Sequence, residues 1–161
     1  MPDRPAAPEG DRAFPEWRRG DYVVRTDPAR LDVDAVHAYL TRSYWAAGIP
    51  LEIVRRSLEN SINFAIVHED ELAGFGRVIT DRATFGYLGD VFVLEAHRGK
   101  GLSKWLMECI LAHPELQGFR RWVLLTRDAH GLYRQYGFQD LAHPDRYLER
   151  WAPDLYHGPT G

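Results

Sequence analysis

The segment VFVLEAHRGKGLSKWLMECIL, Val91 to Leu111, constrains what this chain can fold into more than any other stretch. It opens as a continuous apolar run and passes through a basic loop holding Gly99 and Gly101. It then becomes a pattern in which Leu102, Trp105, Leu106, Cys109 and Ile110 recur at i, i+3, i+4, i+7 and i+8. The run reads as a strand, and the recurrence reads as an amphipathic helix ended by Pro114. A strand that empties straight into a helix leaves the first-turn N–H groups without partners, beside the positive end of the helix dipole. Gly99 and Gly101 let an anion approach that backbone closely, and Arg98 and Lys100 add positive charge at its rim. Taken alone, the same residues also describe a plain polar strand-to-helix turn.

Spacing separates the phosphate-binding loops. A nucleotide P-loop needs a glycine at the position of Leu94 and a Ser or Thr after Lys100, where Gly101 stands. The dinucleotide fingerprint needs its third glycine at Lys104. Both fail, which weighs against an ATP- or NAD-binding reading. What remains is Arg-x-x-Gly-x-Gly/Ala after an apolar strand.

The rest of the chain frames this loop. DYVVRT, Asp21 to Thr26, alternates as a strand, and Asp32 starts a helical pattern through Val33, Val36, His37 and Leu40. SYWAAGIP breaks that helix, and LEIVRRSLENS resumes a second with Leu51, Val54 and Leu58 on one face. Three strands follow in a meander: Ile62 to Val67, Leu72 to Ile79 and Thr84 to Leu94. After the glycine-loop helix, RRWVLLT supplies a fifth strand. DAHGLYRQYGF is a short helix with Asp128 as N-cap and Gly137 past its end, and a last strand is expected around Phe138 to Leu141. This order predicts one α/β domain over 21–147, with a mixed, mostly antiparallel sheet flanked by about four helices. Residues 1–20, with four prolines in the first fifteen, are read as a loose arm and 148–161 as a tail.

At 161 residues the chain can bury one core without disulfides. A net charge of -3 argues against a nucleic-acid footprint, and no apolar stretch approaches the roughly 20 residues of a membrane helix. The first residues lack the apolar centre of a signal peptide. The single Cys109 cannot form an internal disulfide, so the cytoplasm is the expected compartment. The seven histidines include no pair with zinc spacing and a third ligand, so no metal is expected.

Arg98-Gly99-Lys100-Gly101-Leu102-Ser103 resembles the coenzyme loop of the GNAT superfamily, the acyl-CoA-dependent N-acyltransferases. The element order above is the order of that fold, so the resemblance covers roughly Asp21 to Tyr147. A second motif, DAHGLYRQYGF, is similar to the family's Ala-x-x-Leu-Tyr-x-x-x-Gly-Phe. The resemblance implies that loop amides from Arg98 to Ser103 hold the pyrophosphate of acetyl-CoA and that the main chain of Phe92 and Val93 binds the pantetheine. It places Tyr133 near the coenzyme sulfur. Two departures are visible. Ser103 stands where the family has Gly or Ala, and its hydroxyl can add a phosphate contact. Thr126 stands where the family often has Asn, which puts that amide's contact in doubt.

The chemistry then assigns roles. An alkylammonium must lose a proton before it attacks a thioester, attack builds an oxyanion, and a thiolate leaves. The Val93 N–H is the candidate for the oxyanion and Tyr133 the candidate donor to the sulfur. Asp90, inside the apolar YLGDVFV, is either the general base or the ion-pair partner of Arg77, with a water relay as the alternative route for the proton. The resemblance implies that the segment joining the first two helices overhangs the acceptor, so Tyr44 and Trp45, with Phe85 and Tyr87 facing them, either line the amine site or build core. Cys109 is a core residue, so transfer is direct. The expected function is transfer of acetyl from acetyl-CoA to a primary amine of a small molecule or peptide in a ternary complex. The alternative is a non-catalytic acyl-CoA-binding regulatory module, for which Ser103 and Thr126 leave room. The expected partners are that amine and no nucleic acid or membrane, with the chain a monomer or homodimer.

Overall fold

The computed structural model describes residues 14–157. Six strands form one sheet in chain order: β1 (Glu16–Arg19), β2 (Tyr22–Arg25), β3 (Ile62–His68), β4 (Glu71–Thr80), β5 (Phe85–Val93) and β6 (Arg121–Leu124). All neighbours are antiparallel except β5 and β6, which are parallel. The parallel step needs a crossover, and it contains α3 (Leu102–Ala112). The other helices are α1 (Val33–Leu40), α2 (Leu51–Glu59) and α4 (His130–Arg134). A mixed sheet with four helices agrees with the expected fold class.

Alternation along the strands splits the core in two. Phe64, Ile66, Val78 and Leu88 face α3 and pack with Trp105, Leu106 and Ile110, all but excluded from water. Ala65, Val67, Phe75 and Phe92 face the other way, against Val36, Leu40, Val54 and Leu58 of α1 and α2. α1 starts where Asp32 is expected to start a helix, and the Asp32 carboxylate caps it by accepting from the Ala35 N–H at 3.0 Å.

Three expectations are corrected. Residues 16–19 are not part of a loose arm: they form β1, paired with β2 through Trp17 opposite Val24, and Trp17 is 2% exposed. The neighbouring prolines hid an aromatic residue that the core needs. The last strand around Phe138 to Leu141 does not form. Phe138 instead folds back on α4, its N–H bonding the Tyr133 carbonyl, and Arg134 pairs with Asp140 at 2.8 Å. Asp128 does not cap α4. The Thr126 hydroxyl accepts from the Ala129 N–H at 3.0 Å, and Asp128 meets Arg127.

Two features of β5 shape the site. Its ladder to β4 jumps from Phe75–Phe92 to Arg77–Gly89, so Asp90 and Val91 together oppose Gly76 in a β-bulge. Asp90 takes a left-handed backbone, φ 53°, which is strained for a residue with a side chain. The ladder to β6 ends at Leu88–Leu124. Past that point β5 borders an opening.

Candidate active site

α3 begins without a side-chain cap. Gly101 holds the N-cap position at φ 73°, and Gly99 precedes it at φ 79°, both accessible to glycine at little cost. A Cβ at either glycine would meet nothing within 4 Å, so the space before the helix is open. A cleft of about 430 Å³ lies there, lined by Val93, Arg98, Gly99, Gly101, Leu102, Ser103 and Lys104. The arrangement is that of an anion cradle with uncapped first-turn N–H groups.

β5 brings its end to this cleft. Leu94 donates its N–H to Ala73 across β4 at 2.8 Å, so strand alternation turns the main-chain groups of Val93 toward the opening. The Val93 carbonyl is taken by Arg98, whose Nε donates to it at 3.0 Å. Arg98 also reaches the Tyr39 hydroxyl at 3.4 Å, and Tyr39 stacks on Phe92 with centroids 3.9 Å apart. Phe92 thus buries its side chain toward α1, while Val93 offers its N–H to the opening. Lys100 departs from its expected place on the rim: its ammonium turns away to the Tyr22 hydroxyl, 3.3 Å distant.

α4 covers the opening from the far side. Leu132 lines the cleft, and Tyr133 lines a second cavity of about 680 Å³ together with Tyr87, Leu124 and Thr126. Thr126, by bonding Ala129, fixes the start of the helix that carries Tyr133. The Tyr133 side chain is 8% exposed residue-wide and its ring meets Phe138 edge-on. Burial, and then the nearby Tyr44, push its hydroxyl up to about 12, so it is a proton donor throughout the neutral range.

The loop between α1 and α2 approaches β5 through Trp45 and Tyr133 through Tyr44. Tyr44 is 55% and Trp45 40% exposed, so neither builds core. The Arg127 guanidinium lies 3.9 Å over the Tyr44 ring. Trp45 is held by its indole N–H, which donates to Asp90 Oδ1 at 2.8 Å. Asp90 Oδ2 accepts from Arg77 Nε at 2.6 Å, and Arg77 continues to the Ser61 hydroxyl at 2.9 Å. Of the two roles open to Asp90, the geometry is that of the ion pair: both carboxylate oxygens already hold donors. Sequence reading missed the Trp45 contact, since nothing local pairs residues 45 positions apart. Phe85 sits at the start of β5, opposite Arg121, at the strand end away from Asp90 and Val93. It is not part of the site. Cys109 is buried in the core, and burial pushes its thiol up, which disfavours the nucleophilic thiolate. Among the described residues, no group of three or more His, Cys, Asp or Glu side chains is placed to hold a metal ion. Nor is any helix there long and apolar enough to cross a membrane.

The model of the acetyltransferase (GNAT) family matches residues 16–138, from β1 to the turn after α4. The chain belongs to the GNAT family. The GNAT match begins at β1, the strand that composition concealed. A Gibberella zeae protein provisionally named an acetyltransferase is 36% identical over 148 residues, covering 77% of this chain and 82% of that protein. A crystal structure of a Xanthomonas campestris protein, provisionally assigned as a GNAT acetyltransferase, is 47% identical with a TM-score of 0.83. It covers 84% of this chain and 96% of its own. A more distant Clostridium acetobutylicum structure, predicted to be an acetyltransferase and solved with acetyl-CoA, shares the fold at TM-score 0.60 and 16% identity. That match covers 85% of this chain and 97% of the other. The GNAT chain described here is therefore an acyltransferase, with the glycine loop and the end of β5 at one cleft and Tyr133 at a second.

Proposed function

We propose that this enzyme transfers acetyl from acetyl-CoA directly to a primary amine of a small molecule or peptide, with both substrates bound together. The observation that supports the reading is that the uncapped α3 start and Val93 line one cleft together with Leu132 of α4, while the next residue on that helix, Tyr133, lines a second cavity with Tyr87 of β5. Arg98, Gly99, Gly101, Leu102 and Ser103 hold the pyrophosphate through their backbone, with the Ser103 hydroxyl as an added donor. The pantetheine runs along the edge of β5 at Val93, because the alternation that frees the Val93 main chain turns that of Phe92 to Phe75 of β4. The thioester carbonyl meets the Val93 N–H, which stabilises the oxyanion, and Tyr133 protonates the departing sulfur. The amine enters between Tyr44, Trp45 and Tyr87. Its proton leaves through water, because Asp90 is engaged by Arg77 and Trp45.

Thermal unfolding tests the coenzyme half. Acetyl-CoA or CoA at about 100 times its dissociation constant should add roughly 2.7 kcal/mol, raising the midpoint by about 5–10 °C, while ATP and NAD should not. Amine-dependent release of free CoA thiol then separates an enzyme from a non-catalytic acyl-CoA-binding module. No stabilisation by either coenzyme form at millimolar concentration defeats the assignment of the cleft.

Asp90→Asn distinguishes positioning from base catalysis. With an amine returned by that screen, the acid limb of the kcat/KM profile should survive, because it reflects loss of the substrate's own proton. The acceptor KM should rise several-fold as the Trp45 anchor weakens. Loss of the acid limb in the variant restores Asp90 as the base.

A further inference from the structure

We propose that His97 is a phosphate-binding residue of the coenzyme cleft, its imidazole set as an Nε2–H donor by a relay that runs from Lys100 through Tyr22. This rests on reading the cleft before α3 as the site of the coenzyme's diphosphate.

The relay is written in three contacts. The Lys100 ammonium lies 3.3 Å from the Tyr22 hydroxyl oxygen, and the Tyr22 hydroxyl lies 2.8 Å from His97 Nδ1. An ammonium has only donors, so at this contact the Tyr22 oxygen accepts. Its single hydrogen is then directed to His97, the other polar group on it, and Nδ1 must accept. An imidazole whose Nδ1 accepts carries its proton on Nε2. His97 lines the cleft of about 430 Å³ alongside Arg98 and Ser103, so with Nδ1 engaged by Tyr22, Nε2–H is the donor left for a ligand.

The surroundings hold the ring neutral and in place. Tyr22 stands opposite His68 in the β2–β3 register, and their rings lie 4.7 Å apart. The His68 ring is 5.3 Å from that of His97. Partial burial lowers the His97 pKa first, and the charges of His68 and Lys100 lower it further. This also accounts for Lys100, which leaves the rim of the cradle and acts on it through Tyr22. Tyr22 is accordingly a positioning residue, and His97 the group that touches phosphate.

The test is titration calorimetry of free CoA at pH 7.5 with the full chain, combined with imidazole nitrogen chemical shifts of the unliganded protein. His97→Phe should weaken CoA about tenfold or more, as expected for a lost hydrogen bond to a charged group. His97→Gln puts its amide nitrogen where Nε2 lies and should stay within about threefold of wild type, whereas His97→Asn, which mimics Nδ1, should fall with Phe. Tyr22→Phe should cost several-fold in the wild-type background and add nothing beside His97→Phe. The nitrogen shifts should report the Nε2–H tautomer in wild type and a mixture in Tyr22→Phe. Pantetheine, which lacks the diphosphate, should bind wild type and His97→Phe alike. Unchanged CoA affinity in His97→Phe, or an Nδ1–H tautomer in wild type, overturns the assignment of His97 while leaving the cleft's identity intact. Failure of wild type itself to bind CoA overturns both.

Discussion

Tyr133→Phe should lower kcat by about 10²–10³-fold while changing CoA affinity by less than about threefold. A thiol titrates near pH 8.5, so a thiolate expelled at neutral pH gains from being protonated as the carbon–sulfur bond breaks. Tyr133 is suited to that task because burial and Tyr44 keep its hydroxyl protonated up to about pH 12. The hydroxyl makes no hydrogen bond among the described residues, so Phe removes no fold contact and preserves the packing on Phe138. The variant should therefore melt within a few degrees of wild type. A burst-free rate equal to that of wild type with any accepted amine would falsify the role of Tyr133, and solvent would then be the proton source.

Gly101→Val should weaken CoA at least about a hundredfold, and two effects contribute. A residue with a side chain at φ 73° is strained by roughly 1–2 kcal/mol, a cost the folded state can bear but one that shifts the loop. The larger effect is occupancy: the added isopropyl group projects into open space in front of the first-turn N–H groups, where a phosphate oxygen has to come. Gly118 separates the two. It has φ 74° and the same open surroundings, but it lies in the connection between α3 and β6 and does not line the cleft. Gly118→Val should cost similar stability and leave CoA affinity unchanged in calorimetry. Equal losses of affinity in both variants would assign the effect to strain and remove the argument for a backbone cradle at Gly101.

Features encoded over a few neighbouring residues were legible in the sequence. The α3 periodicity, the uncapped glycine start, the β3–β4–β5 meander and the start of α1 near Asp32 all depend on contacts within a turn or across a hairpin. What could not be read depends on distant partners. Trp17 is a strand residue because Phe64 and Val24 await it, whatever the prolines before it suggest. Asp128 does not cap α4, which starts from its N-cap Ala129 without a side-chain cap, because the chain reaches the helix with the Thr126 hydroxyl facing the Ala129 N–H and Asp128 beside Arg127. For Asp90, the sequence offered base and ion pair alike, and the choice turned on Arg77 and on Trp45 arriving from another loop. Lys100 is the sharpest case: charge and position put it on the cradle, while an aromatic hydroxyl on β2 drew it aside.

The nine residues of β5 carry obligations on both sides at once. In the proposed mechanism Tyr87 and Asp90 belong to the amine wall, and Val93, three residues on from Asp90, presents its amide to the coenzyme. Lineages that change their amine therefore have little freedom to do so on this strand, since any shift in the bulge moves the acyl end with it. The cheaper route is through the loop around Tyr44 and Trp45, which touches β5 by one indole hydrogen bond. Among close relatives, substrate divergence should be written in that loop, with β5 drifting far more slowly.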